Sequence, residues 1–154
     1  MPADSDTTLP ITYRPLGARV ASAVAAGAIV FIVTFLWVLL PREVQEDFSV
    51  FQRVTLIGFF VVILIVLNGI FRTAAKATVG GLDVINGYHK HRLEWGQIVR
   101  VSLSANRPWA LIDLDDGTSM SVMAIQTSDG PRAQRAARHL AVLVQAQTRT
   151  DRDT

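Results

Sequence analysis

The sequence predicts a membrane-embedded helical hairpin followed by a small α+β domain, a bent antiparallel sheet capped by a C-terminal amphipathic helix. Three observations carry this. Two long apolar runs without a charged residue occupy the first half of the chain, Val20 to Leu40 and Val54 to Phe71. From Lys76 onward the apolar residues come in short segments separated by turn signals. Near the end the period changes again, and Pro131 to about Gln147 is built of good helix formers.

The chain has 154 residues, half of them hydrophobic, with 15 Lys and Arg against 13 acidic residues. That is room for one small domain and a membrane anchor. The formal charge of +2 is too low for a nucleic-acid binder, and no basic stripe with interleaved aromatics is present. The complete lack of Cys removes disulfides, thiolate metal sites and Cys nucleophiles. From Arg72 onward 11 basic residues face 8 acidic ones, a mild excess that suits an anionic leaflet nearby.

About 20 apolar residues at 1.5 Å rise cross a hydrocarbon core of roughly 30 Å. Residues 20–40 and 54–71 are accordingly read as two transmembrane helices, with 1–19 as a cytoplasmic N-terminal tail and 41–53 as an extracytoplasmic loop. Two buried helices of a soluble protein would leave almost nothing in so short a chain to cover them. A cleaved signal peptide is disfavoured because Val38-Leu39-Leu40-Pro41 offers no small-residue cleavage pattern and a second span follows. Arg14, Arg19, Arg72 and Lys76 flank the outer ends of the hairpin, against Arg42 and Arg53 in the connection. The positive-inside rule therefore places both termini in the cytoplasm of a multi-pass plasma-membrane protein. Ala18, Ser22 and Ala26 form a small-residue face that can pack on the second helix beside Asn68 and Gly69. Neither span carries an ionisable group, so a proton or ion pathway has no chemistry to run on.

Residues 72–147 read as the soluble domain and 148–154 as a disordered tail. Strands are expected at Ala77–Val79, Leu82–Ile85, Tyr88–Leu93, Val99–Ser104, Trp109–Leu114 and Thr118–Met123. Asn86-Gly87 and Asp115-Asp116-Gly117 supply hairpin connections. Val99, Val101 and Leu103 alternate with polar residues, which directs those three to the core. In the final helix, Ser128 or Asp129 can cap, and Pro131 suits the first turn. Ala133, Ala136, Ala137, Leu140, Leu143 and Val144 fall on one side, with Arg132, Arg135 and Arg138 on another. The apolar side has to cover the open sheet.

With two spans followed by GLDVINGYHKHRLEWGQI, RPWALIDLDDG, MAIQ and SDGPRAQRAARHL, the chain resembles actinobacterial membrane-anchored bacterial PH-domain proteins of the low-molecular-weight antigen type. The resemblance is strong from Val79 to Val144 and looser over the hairpin. It implies a PH-like, partly open barrel capped by a helix, and it supplies no catalytic residues. In eukaryotic PH domains a loop between the first two strands holds an inositol phosphate with cations; the corresponding Val79-Gly80-Gly81 has none.

The remaining candidates point to binding. Arg107 and Trp109 in a hairpin connection, and the Arg132, Arg135, Arg138 row, are the candidate contacts to a partner or to lipid. Lys90, Arg92 and Arg100 can face anionic lipid or simply be a solvated strand face. His89 and His91 share one side of a strand but lack further metal ligands, and Asp113, Asp115 and Asp116 make a turn rather than a calcium loop. No catalytic, cofactor or metal site and no small-molecule substrate is expected, so the protein is read as no enzyme. The expected partners are the lipid bilayer and a protein. The leading expectation is a membrane-tethered interaction module holding a protein partner at the cytoplasmic membrane surface; the alternative is an accessory structural subunit of a larger membrane complex, such as a respiratory assembly.

Overall fold

The computed structural model describes residues 9–152; residues 1–8 of the expected N-terminal tail and 153–154 of the expected C-terminal tail lie outside them. The chain divides into two compact units, one formed by the chain up to Gly17 together with everything from Arg72, the other by Ala18–Phe71.

In the second unit, α1 (Leu16–Leu39, entering from the first unit at Ala18) and α3 (Val50–Arg72) are long and apolar enough to cross a membrane. At 1.5 Å per residue α1 is roughly 36 Å long. Ser22 and Gly69 are their only buried residues, and large side chains such as Phe31, Val38, Phe51 and Ile57 stand exposed along them. An apolar surface of that extent marks a face that meets lipid or another protein. Both helices run beyond the apolar runs that announced them. The connection expected as a loop holds a short helix, α2 (Arg42–Asp47). Gln45 Nε2 donates to Trp37 O (3.0 Å) and Leu40 O (2.9 Å), closing the end of α1, while Arg53 donates to Gln45 O (2.6 Å).

The first unit is the α+β domain. Its four-stranded sheet has the order β1 (Ile11–Tyr13), β2 (Ala74–Thr78), β3 (Gly81–Asn86), β4 (His89–Leu93); its three-stranded sheet has the order β5 (Ile98–Ser102), β6 (Trp109–Leu114), β7 (Ser119–Gln126). All pairings are antiparallel. Asn86 spans the two sheets, its Nδ2 donating to Ser121 O (2.6 Å) and its Oδ1 accepting from Met123 N (3.1 Å). On the other side β4 and β5 are not paired, so the barrel is partly open. α4 (Pro131–Arg152) covers the core, burying Ala133, Ala137, Leu140, Leu143 and Val144 with Leu82, Val84, Ile112 and Val122. The bent antiparallel sheet with a terminal amphipathic cap is thus the observed fold.

Four local expectations are corrected. The stretch read as an N-terminal tail contains β1, with Tyr13 opposite Ala75 and Ile11 opposite Ala77. The first expected strand slips toward the N-terminus: Val79 is 77 % exposed in a turn, because Gly81, at φ +142, lies so close to Leu93 O that any Cβ would meet it at 2.1 Å. The strict alternation from Val99 fails because a register shift separates Ile98 from Arg100. The extra residue of such a bulge rotates its neighbours, so Ile98 is buried and Val99 is 66 % exposed, while Val101 and Leu103 still pack on the core. Finally, α4 continues to Arg152, through part of the expected tail.

Candidate partner-binding surface

α4 begins after a 3-10 turn at Thr127–Asp129, with Gly130 at φ +55 making the corner. Arg132, Arg135 and Arg138 are exposed along it, and from Pro131 to Thr150 the sequence contains no carboxylate to neutralise them. Of the three, Arg138 borders a groove of about 240 Å³ between α4 and β5, lined also by Val101, Leu103, Gln134, Ala137 and Ala141. The small side chains of Ala137 and Ala141 leave this space. β5 contributes an open margin, since it hydrogen-bonds only to β6 in its sheet.

Arg107 lies in the β5–β6 connection, whereas Trp109, expected there too, opens β6 opposite Gln126. Thr127 holds the connection in place, its N–H donating to Pro108 O (3.0 Å) and its hydroxyl donating to Arg107 O. Arg107 is exposed and Trp109 half-buried. Together with Asn106, Gln126 and Ser128 they line a second hollow, of about 330 Å³.

Other charged candidates are engaged locally. Lys90 and Arg92 reach Asp83 at 3.4 and 3.9 Å, pairs of the exposed kind that contribute little stability. Asp116 caps its own turn, Oδ1 accepting from Thr118 N (2.8 Å) and Thr118 Oγ1 (2.6 Å), and these bonds hold its carboxyl below the usual range. Asp113 accepts from Ser119 Oγ at 2.8 Å. Among the described residues no group of three His, Cys, Asp or Glu could hold a metal.

The Glu94-Trp95-Gly96-Gln97-Ile98 element has a structural task. Trp95 is 3 % exposed and donates from Nε1 to Thr78 O (3.1 Å) and Val79 O (3.2 Å). It thereby pins the cation-free turn, which joins β2 to β3 and is therefore not the connection of the first two strands that the sequence suggested, while Gln97 accepts from Glu94 N at 2.9 Å.

Two tertiary contacts were not foreseen. Tyr13 Oη lies 2.9 Å from His139 Nδ1, joining β1 to α4; burial pushes the Tyr13 phenol up to about 12. Asp129, expected as a cap for α4, serves α1 instead, Oδ2 accepting from Leu16 N and Oδ1 from Gly17 N, both at 3.0 Å. Two charge-assisted bonds to the open N–H groups of a first helical turn also suit its dipole.

Of the hairpin residues singled out, Ser22 and Gly69 are buried, Ala18 and Ala26 half-buried and Asn68 exposed. Ser22 Oγ donates to Arg19 O (3.0 Å), and the Arg19 guanidinium sits 4.4 Å above the Phe71 ring. Toward the other end of the helices an apolar cleft of about 480 Å³ opens between Val30, Val33 and Trp37 on α1 and Leu56, Ile57 and Phe60 on α3.

Residues 72–141 match the family model described as "Bacterial PH domain". The match takes in β2 to β7 and the first half of α4; β1 lies upstream of it, across the two long apolar helices. No curated protein and no solved structure matches the chain.

Proposed function

We propose that the protein is a membrane-tethered PH-like module that holds a protein partner at the cytoplasmic face of the plasma membrane. PH-like domains serve as protein or lipid interaction modules. The observation that carries the tethering is the pairing of β1 with β2. Tyr13, before the two apolar helices, sits opposite Ala75, after them. Two strands that pair must lie on one side of any bilayer those helices cross. The Lys and Arg excess at the outer ends of the hairpin selects the cytoplasm for that side. The exposed arginines of α4 and the Arg107–Trp109 hollow then face a compartment where a partner can reach them.

Carbonate extraction of native membranes tests the anchoring: the chain is expected to stay in the pellet, and its release into the supernatant would end the proposal. Protease protection on sealed inside-out and right-side-out vesicles tests the orientation. Crosslinking in native membranes followed by mass spectrometry is expected to recover one reproducible partner, whereas a solitary protein in gentle detergent counts against an adaptor. A second reading, an accessory subunit of a larger membrane complex, draws its support from the open seam between α1 and α3, which offers a neighbouring helix an apolar cleft. Co-migration with a large complex on native gels distinguishes it from the free module.

A further inference from the structure

We infer that the groove between β5 and α4 binds an extended acidic peptide segment, which adds to the three-stranded sheet as a fourth strand beside β5; this rests on the interaction-module reading and gives its partner a chemistry. Four strands lie at sheet margins, β1, β4, β5 and β7, and three of them are poor hosts. β1 has only three residues. On β4 the charges of Lys90 and Arg92 are already answered by Asp83 within the sheet, whereas Arg100 on β5 is exposed and adds to the positive margin there. β7 is approached by β3, through Asn86 bonding to the backbone at Ser121 and Met123.

β5 is different. It has five residues and one hydrogen-bonded neighbour, so every second residue turns its N–H and C=O away from β6. Such an edge takes up an extended chain through main-chain bonds, with alternate side chains entering whatever pocket lies alongside. Here that pocket is built: Val101 and Leu103 form one wall, Ala137 and Ala141 the other, and the groove of about 240 Å³ stays open between them. Val99, turned outward by the bulge, widens the apolar margin.

Charge decides the occupant. Arg138 stands at the groove, Arg132 and Arg135 continue its row, and α4 carries no carboxylate from Pro131 to Thr150. Arg138 has no ion-pair partner among the described residues. A segment alternating small apolar residues with Glu or Asp satisfies the pocket and the arginine together. A bilayer surface offers charge but no strand, so the open β-edge favours a peptide.

The test uses the full chain in detergent micelles. The probes are a blocked peptide of about nine residues alternating glutamate with valine and its lysine counterpart, read by fluorescence anisotropy and by amide hydrogen exchange. The glutamate peptide is expected to bind at least about tenfold more tightly than the lysine peptide and to slow exchange in residues 99–103. Ala141→Trp, which fills the groove, and Arg138→Glu, at an exposed position that leaves folding intact, should each weaken binding by about tenfold or more. Equal affinity for both peptides, indifference to both variants, or protection confined to β4 or to the Arg107–Trp109 hollow would overturn the proposal. So would an Arg138-dependent attachment to phosphatidylglycerol vesicles without peptide binding, which makes the ligand a membrane, or doubling of the particle mass with β5 protected before peptide is added, which makes it a second copy. A native-membrane crosslink that survives both variants removes the groove and leaves the interaction module standing; the loss of every crosslink in the unaltered protein removes the module itself.

Discussion

Replacing Tyr13 tests whether the residues ahead of the two apolar helices belong to the same folding unit as the sheet that follows them. The side chain is 8 % exposed within the core and its hydroxyl meets His139. A tyrosine buries on the order of 150 Å² or more, which at about 25 cal/mol per Å² corresponds to roughly 4 kcal/mol. The hydrogen bond adds about 1 kcal/mol. Tyr13→Ala should therefore destabilise the domain by about 3–5 kcal/mol, in the range of core aromatic deletions. Tyr13→Phe should cost only about 1 kcal/mol. In a domain of this size each kcal/mol moves the thermal midpoint by about 4–8 °C, so the two variants should fall about 15 °C or more and about 5 °C below the parent. Near-ultraviolet circular dichroism of the full chain in detergent follows the transition through buried Trp95. A shift in Tyr13→Ala smaller than about 3 °C would mean that β1 takes no part in the cooperative unit. The domain would then begin at residue 72, as the hydrophobic pattern alone suggests.

Three further outcomes follow from the same geometry. Gly81→Ala places a Cβ 2.1 Å from Leu93 O at a φ of +142; the strain should exceed about 3 kcal/mol, and the Trp95 signal should be lost at temperatures where the parent is folded. Asp129→Ala removes both bonds to Leu16 and Gly17 and should cost about 1–2 kcal/mol in thermal unfolding, with Asp129→Asn recovering the larger part. Because the folded state holds the Tyr13 proton more tightly, its contribution is complete below the ordinary phenol value of 10.0 and fades as pH rises toward about 12. An alkaline unfolding series should show this loss in the parent and its absence in Tyr13→Phe.

What was legible in the chain was whatever a local pattern encodes. The two long helices announce themselves because the uncharged runs are long and apolar enough to cross a membrane. β3, β4, β6 and β7 were found within a few residues because Asn86-Gly87 and Asp116-Gly117 mark their turns, and the structure gives those glycines φ of +64 and +82. The buried face of α4 follows from helical period. Local pattern failed where the decisive partner is distant. β1 is three residues long, too short for a period to register, and its partner Lys76 pairs with Thr12 across the entire pair of apolar helices. Asp129 precedes a helix and so looks like that helix's cap, yet its carboxylate bonds to residues more than a hundred positions earlier. The bulge at Val99 inverts one position of an otherwise correct alternation. As for the candidate site, the arginine row was visible in spacing, whereas the groove that gives Arg138 a neighbour requires the β5–α4 packing.

The insertion between β1 and β2 has an energetic consequence. Closing a flexible loop of about 60 residues costs roughly 3–4 kcal/mol before any constant term, comparable to what Tyr13 contributes, so β1 would dock only marginally if the inserted chain were disordered. The inserted chain is instead two helices whose adjoining ends meet where Arg19 covers Phe71. Packing of those helices on each other would shorten the stretch that has to be closed. It follows that the domain can be separated from the two apolar helices if that closure is supplied differently. A chain in which residues 18–71 are replaced by about eight Gly and Ser residues, enough to span roughly 25 Å, should be soluble and fold with β1 in place. Residues 72–152 alone should unfold several kcal/mol more easily. Exchange protection of the amides of residues 74–78 separates the cases, since those facing β1 are covered only when it is present. Equal stability of the two shortened chains would show that β1 contributes nothing to the sheet, and with it would go the argument for both ends of the helical pair lying on one side of a bilayer.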